Sequence, residues 1–212
     1  MALAFSGGAA NELASFHASP LVDGSDDAHP DAYTRMDNRP APFNLVVNLA
    51  TLSRQVASAA PVRDVGFHWG ASDPQSAQAP RASHLTATVG NTPVSFEWNA
   101  AVGRWVETVG GSPVLDMAGA PVSTRDVLVQ FCQVTLDYHD IDQAGNPAAY
   151  THSLGSGKAV LFRDGRRIDG TWTRRHLTDP TSFQVAGGQD LLLHPGGVWV
   201  LLAAAGSPLN TG

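Results

Sequence analysis

The chain has 212 residues, of which 43% are hydrophobic and 15% charged, enough apolar material to bury a core in one domain or in one domain plus a fragment. Its net charge is −6 and Lys158 is its single lysine, so it lacks the electrostatic footprint that supplies most non-specific nucleic-acid affinity, and no nucleic-acid partner is expected. It contains neither an apolar run of about 18 to 20 residues nor the basic, apolar and cleavage-site pattern of a secretory leader.

In chain order, Ala2-Leu-Ala-Phe5 predicts a short strand that ends at Ser6-Gly-Gly8. Asn11 to His17 carries Leu13 and Phe16 three positions apart, with Asn11 available as N-cap, and predicts a short helix. Gly7-Gly8 reads as the turn between them; the alternative, an anion cradle on free backbone N–H groups, lacks the remainder of a phosphate-loop pattern and its lysine. Ser19 to Asp31, with Asp23, Asp26, Asp27 and Asp31 around Gly24 and Pro30, reads as a solvated loop and not as a metal site.

The block Tyr33 to Leu45 then gathers Arg35, Asp37, Arg39 and Asn44 around two prolines. Leu45, Leu49, Leu52 and Val56 form an amphipathic stripe, predicting a helix that starts with Asn44 or Asn48 as cap and ends before Pro61. Arginine presents a planar fork of donors, and a helix start adds free N–H groups, so Arg35, Asp37, Arg39 and Asn44 make a candidate clamp for an anion or a peptide backbone. The structural alternative is that Arg35 and Asp37 fix the loop and Asn44 caps the helix.

After Pro61 the pattern changes from period 3.6 to period 2, marking a boundary near residues 60–64. Val65-Gly-Phe-His-Trp69 predicts a strand; His84–Val89, Val94–Trp98 and Arg104–Val109 predict consecutive antiparallel strands joined at Gly90-Asn91 and at residues 99–103. Trp98 and Trp105 flank the second turn, either to stack on a sugar ring or to fill the core. Asp126 to Tyr138 opens almost continuously apolar, the pattern of a central strand, and holds Cys132, the one cysteine, which reads as a small core residue. At its end Asp137, His139 and Asp140 are the densest group of candidate acid/base residues. The calcium-loop pattern fails there, with Ala144 and Thr151 at ligand positions, so no metal is expected. The remaining histidines, His68, His84, His152, His176 and His194 among them, are scattered, and no nucleophile elbow, metalloprotease helix or paired-cysteine motif is present.

The last third holds four short apolar runs, 159–162, 170–173, 182–185 and 198–202, separated by Asp164-Gly165, Asp179-Pro180, Gly187-Gly188 and Pro195-Gly196-Gly197. These turn residues predict an antiparallel meander, with Arg163-Asp164-Gly165 as one hairpin turn and Arg174, Arg175 and His176 as a small basic cluster. The run G-S-G-K-A-V-L-F-R-D-G-R-x-I-x-G-T-W over residues 155–172, with the L-x-P-G-x-x-W-V close, resembles the C-terminal domain of the YerB-like family of bacterial envelope lipoproteins, known as a domain of unknown function. The arginine-rich block leading into Pro42-Phe43-Asn44-Leu45 resembles the same family's helix start, departing from it at Phe43 and Val46.

Together these readings predict an α+β, mainly β fold: an antiparallel, sandwich-like domain over residues 63–212 and a small α/β fragment over 1–62. The resemblance implies that the fragment is the end of a truncated N-terminal domain, and that a lipid anchor absent from this chain would hold the full-length protein at the outer face of the membrane. The expected function is a non-catalytic binding or scaffolding module for an envelope protein or cell-wall component, gripping it with Arg35, Arg39 and Asn44, without a cofactor. The alternative is a hydrolase or transferase on envelope polymers that uses Asp137, His139 or Asp140.

Overall fold

The computed structural model describes residues 1–8, 10–38, 44–57, 64–141, 145 and 147–212, with Ala10 and Asn11 as backbone only. The chain divides into two units, Met1–Arg63 and Asp64–Gly212.

In the first unit, β1 (Ala2–Leu3) lies parallel to β2 (Val22–Asp23), and α1 (Ala10–His17) joins them. The segment read as a solvated loop therefore contributes a strand. It is fixed further by His29, whose ring Nε2 lies 3.0 Å from the Asp23 carbonyl, and by the Tyr33 hydroxyl, which donates to the Gly24 carbonyl. β3 (Tyr33–Arg35) pairs antiparallel with β4 (Leu45–Val47), and α2 follows over Leu49–Val56. The predicted helix thus begins four residues late. Leu45-Val46-Val47 has the β-branched character that suits a strand, and Asn48 rather than Asn44 is the cap, its Oδ1 accepting from Thr51 N–H at 3.0 Å. Leu52 and Val56 bury the inward face of α2 among Ala32, Val22, Tyr33 and Val47.

In the second unit, β5 (His68–Trp69) covers only the end of the predicted Val65–Trp69 strand. Then β6 (His84–Val89), β7 (Thr92–Asn99) and β8 (Arg104–Val109) form the expected antiparallel hairpins, and β9 (Ser112–Pro113) and β10 (Ser123–Thr124) add short edges to β8. The long strand β11 (Asp126–Ile141) forms a second sheet with β12 (Pro147–His152), β13 (Gly155–Arg163), β14 (Arg166–Arg174) and β15 (Ser182–Gln184), in the order β12-β11-β13-β14-β15. β16 (Leu192–Leu193) lies parallel to β5, β17 (Val198–Ala204) joins β11, and β18 (Leu209–Thr211) closes the first sheet beside β6.

The meander is correct for β13, β14 and β15 but not for the last run. β17 does not continue the antiparallel series; it crosses to the other side of β11 and runs parallel to it, from Asp126 opposite Val198 to Cys132 opposite Ala204. The connection over residues 185–197 is long enough for that crossover, whereas a tight turn would have imposed a hairpin.

The two six-stranded sheets pack as a sandwich. Val127, Val129 and Phe131 of β11, Val160 and Phe162 of β13 and Leu201 and Ala203 of β17 share one buried cluster with Leu85, Ala87, Phe96 and Trp105. Burial of each large side chain there contributes roughly 1.5–3 kcal/mol. The alternate residues Leu128, Cys132, Ala159 and Leu161 point the other way, into a second cluster with Ile168, Trp172, Phe183, Leu191 and Leu193. Because β11 and β13 are covered on both faces, their continuous apolar sequence has a physical cause.

Candidate functional site

Two charges are fully buried at the rim of this doubly covered sheet. Asp126 starts β11, Arg163 ends β13, and the register sets them directly opposite each other. Such burial is tolerated only where partners replace water. Arg163 Nη1 donates to the Leu192 carbonyl at 2.8 Å, Nη2 donates to the Gly70 and Ala71 carbonyls at 2.9 and 3.2 Å, and Nε donates to Asp164 Oδ2 at 3.2 Å. One guanidinium therefore ties two separate stretches of main chain, 70–71 and Leu192, to the β13–β14 turn.

Asp126 takes its partners from His194. The His194 backbone N–H donates to Oδ2, and ring Nδ1 lies 3.2 Å from Oδ1. Burial pushes the Asp126 carboxyl above the usual range, opposed first by the two contacts from His194 and then by the charges of His194 and Arg163. Ring Nε2 of His194 lies 3.5 Å from Asp164 Oδ1, so the imidazole bridges a buried carboxylate and a half-exposed one. Asp164 occupies the left-handed region, φ 54°, as the first turn residue before Gly165.

That turn opens onto a hollow of about 360 Å³ lined by Arg81, Ser83, Trp98, Asp164, Gly165 and Arg166. The segment 80–82 runs antiparallel beside the turn: Ala82 N–H donates to the Gly165 carbonyl at 2.9 Å and Arg167 N–H to the Pro80 carbonyl at 3.0 Å. Arg81 and Arg166 are thereby set directly opposite each other. Like charges in that relation repel. Arg166 is braced by donating from Nη1 to the Ala79 carbonyl at 2.6 Å, while Arg81 is exposed and its side chain makes no hydrogen bond among the described residues. Trp98 is half-buried, packed 5.3 Å from the core residue Trp105, and its indole lies so close over Gly165 that a Cβ there would fall 2.6 Å from Nε1. Trp105 fills the core, as one of the two readings expects, and Trp98 is packed against that core while lining the hollow.

The residues singled out from sequence lie elsewhere. Arg35 Nη1 donates to Asn44 Oδ1 at 2.8 Å, and Asn44 Nδ2 donates to the Met36 carbonyl at 3.3 Å, so this pair closes the β3–β4 hairpin. Asp37 is exposed in the turn that follows β3, and Arg39 lies outside the described residues. Asp137 Oδ1 accepts from His139 N–H at 2.8 Å, a local turn where the β11–β12 register shifts; His139 is exposed and Asp140 half-buried in the same irregular stretch. Arg174 donates to the carbonyls of Leu177 and Asp179, and the Asp179 carboxylate accepts from His176 N–H, so the basic cluster closes its own loop. Among the described residues no three His, Cys, Asp or Glu side chains gather closely enough to hold a metal ion.

A β sandwich with a buried acid–histidine–arginine network beneath an arginine- and tryptophan-lined hollow defines the class as an α+β, mainly β protein. Residues 84–200 match the C-terminal domain of a protein family of unknown function, DUF3048, and the chain belongs to that YerB-like family. The crystal structure of the YerB protein from Bacillus subtilis is similar in fold, with a TM-score of 0.66 at 15% identity, over 98% of this chain and 69% of that one. No curated protein matches the chain.

Proposed function

We propose that the chain is a non-catalytic binding module of the cell envelope, and that the hollow beside the β13–β14 turn is where it holds a negatively charged group of an envelope protein or cell-wall component. The observation that carries this reading is the enforced pairing of Arg81 with Arg166, since opposed guanidinium groups are relieved by an anion between them. Trp98 beside them offers an apolar face for the ligand's carbon frame. In the full-length protein, an N-terminal lipid anchor would keep this face in the extracytoplasmic space.

The enzymatic reading, a hydrolase or transferase on envelope polymers, draws its support from the orientation of His194 by buried Asp126, an arrangement that general bases use. It is disfavoured because Nε2 of His194 meets the carboxylate of Asp164 and no serine, threonine or cysteine is hydrogen-bonded to that ring among the described residues.

Co-sedimentation with isolated cell walls tests the proposal. Wild type is expected to pellet with the walls at low salt and less at high salt, and Arg81→Glu, at an exposed position, is expected to stay in solution with an unchanged melting curve. Equal sedimentation of the two proteins, or none by wild type, contradicts it.

A further inference from the structure

The lining of the hollow is not uniformly basic, and that asymmetry narrows the ligand. The same lining holds Asp164, with one oxygen facing Arg163 Nε at 3.2 Å and the other facing His194 Nε2 at 3.5 Å. A carboxylate offers about four lone-pair positions, so these two contacts leave acceptor capacity on the 45% of its side chain that remains exposed. A purely anionic ligand seated between Arg81 and Arg166 would meet that negative charge. An ammonium would be drawn to it, and the adjoining indole of Trp98 attracts cations as well. Resting on the proposed binding role of this hollow, we infer that its ligand is zwitterionic: an amino-acid head group, with its carboxylate between Arg81 and Arg166 and its ammonium against Asp164 and Trp98.

The side-chain geometry supports the specificity of this arrangement. Asp164 cannot swing freely, because Arg163, itself fully buried, and His194, fixed by Asp126, hold it from behind. Gly165 lets the indole of Trp98 lie directly on the turn, so the ring and the carboxylate belong to one rigid edge. The volume, about 360 Å³, admits a head group and a short side chain and stays open to solvent for whatever the head group is attached to. Two sources share this chemistry: a free amino acid, and the end residue of a peptide branch joined through its side chain.

The test follows the Trp98 indole N–H and Gly165 amide signals by NMR during titration of the whole chain. Alanine represents the free amino acid, Nε-acetyl-lysine the side-chain-linked residue, N-acetylalanine the head group without its ammonium, and alaninamide the head group without its carboxylate. Either zwitterion is expected to shift both signals saturably, at least about tenfold more tightly than either blocked probe, since losing one charged contact of about 1.4 kcal/mol is a factor of ten. Tighter binding of Nε-acetyl-lysine assigns the linked source, and tighter binding of alanine the free one. Asp164→Asn, which an asparagine at positive φ tolerates, is expected to remove the preference for alanine over N-acetylalanine while the protein stays folded. If N-acetylalanine binds as well as alanine, or if no probe moves these signals, the zwitterion inference is overturned. Wall binding that depends on Arg81 would then show that the anion-binding role stands without it.

Discussion

Asp126 and His194, 68 residues apart in sequence, meet twice: the His194 main-chain N–H donates to one carboxylate oxygen of Asp126, and its ring Nδ1 lies 3.2 Å from the other. This double contact fixes the ring against a fully buried acid and turns Nε2 toward Asp164 at the edge of the hollow. The position of an exposed turn carboxylate is thus set from the core of the sandwich.

Burial raises the Asp126 carboxyl, which gives a pH dependence of known sign. An acid whose folded pKa exceeds its unfolded value, about 3.9, stabilises the fold through its protonated form; that contribution is full below about pH 4 and is lost as pH rises through the folded value. Asp126→Asn cannot titrate. The melting temperature of the variant relative to wild type is therefore expected to rise with pH in the window directly above about pH 4, and parallel curves would contradict the assignment.

Arg163 donates to the Ala71 carbonyl and holds Gly70 and Leu192 as well. Arg163→Met leaves these carbonyls and Asp126 without their cation, and a loss of about 3–5 kcal/mol in urea unfolding is expected. Arg163→Lys restores the charge but not the fork, so it recovers only part of the loss.

Gly157 supports the second cluster by its lack of a side chain. A Cβ there would fall 2.6 Å from both the Phe131 carbonyl and Trp172 Nε1, the two ends of a 2.8 Å hydrogen bond. Gly157→Ala is expected to destabilise by about 1–3 kcal/mol. The comparison is Gly187→Ala, where φ is +97° but the space is open, so the cost is backbone strain alone, about 1 kcal/mol.

Cys132 is buried beside Leu128 and Leu161, and burial pushes its thiol up. The native protein is expected to react with a disulfide-exchange reagent at least about a hundredfold more slowly than the protein in denaturant, because the reactive thiolate is scarce and enclosed. Equal rates would place the thiol at the surface.

Period-2 alternation and the turn residues at Gly90-Asn91 and Asp164-Gly165 made β6, β7, β13 and β14 legible, because a strand with one buried face and a tight turn writes its register locally. The path of β17 was not legible: an apolar strand carries the same pattern whether its neighbour is parallel or antiparallel. Leu45 misled because one residue can satisfy a helical spacing and a strand at once, and the pairing with Arg35 decides between them. The arginines singled out in the first unit were read from their density, whereas Arg35 spends its donor on Asn44. The hollow was hidden for a different reason. Arg81, Trp98 and Arg166 belong to three separate stretches, and only the pairing of segment 80–82 with the turn joins them; the local clue was a charged residue at one end of each of two apolar runs, Asp126 before 127–129 and Arg163 after 159–162.

The binding role of the hollow is tested most directly by the indole N–H spectrum of the whole chain titrated with solubilised cell-wall fragments, with Trp98 assigned through Trp98→Phe. The Trp98 signal is expected to move saturably while Trp172, whose N–H is held by the Phe131 carbonyl in the second cluster, stays in place, and Arg81→Glu is expected to abolish the movement. A Trp98 signal that stays still while the fragments bind, or that moves equally in Arg81→Glu, would contradict the account.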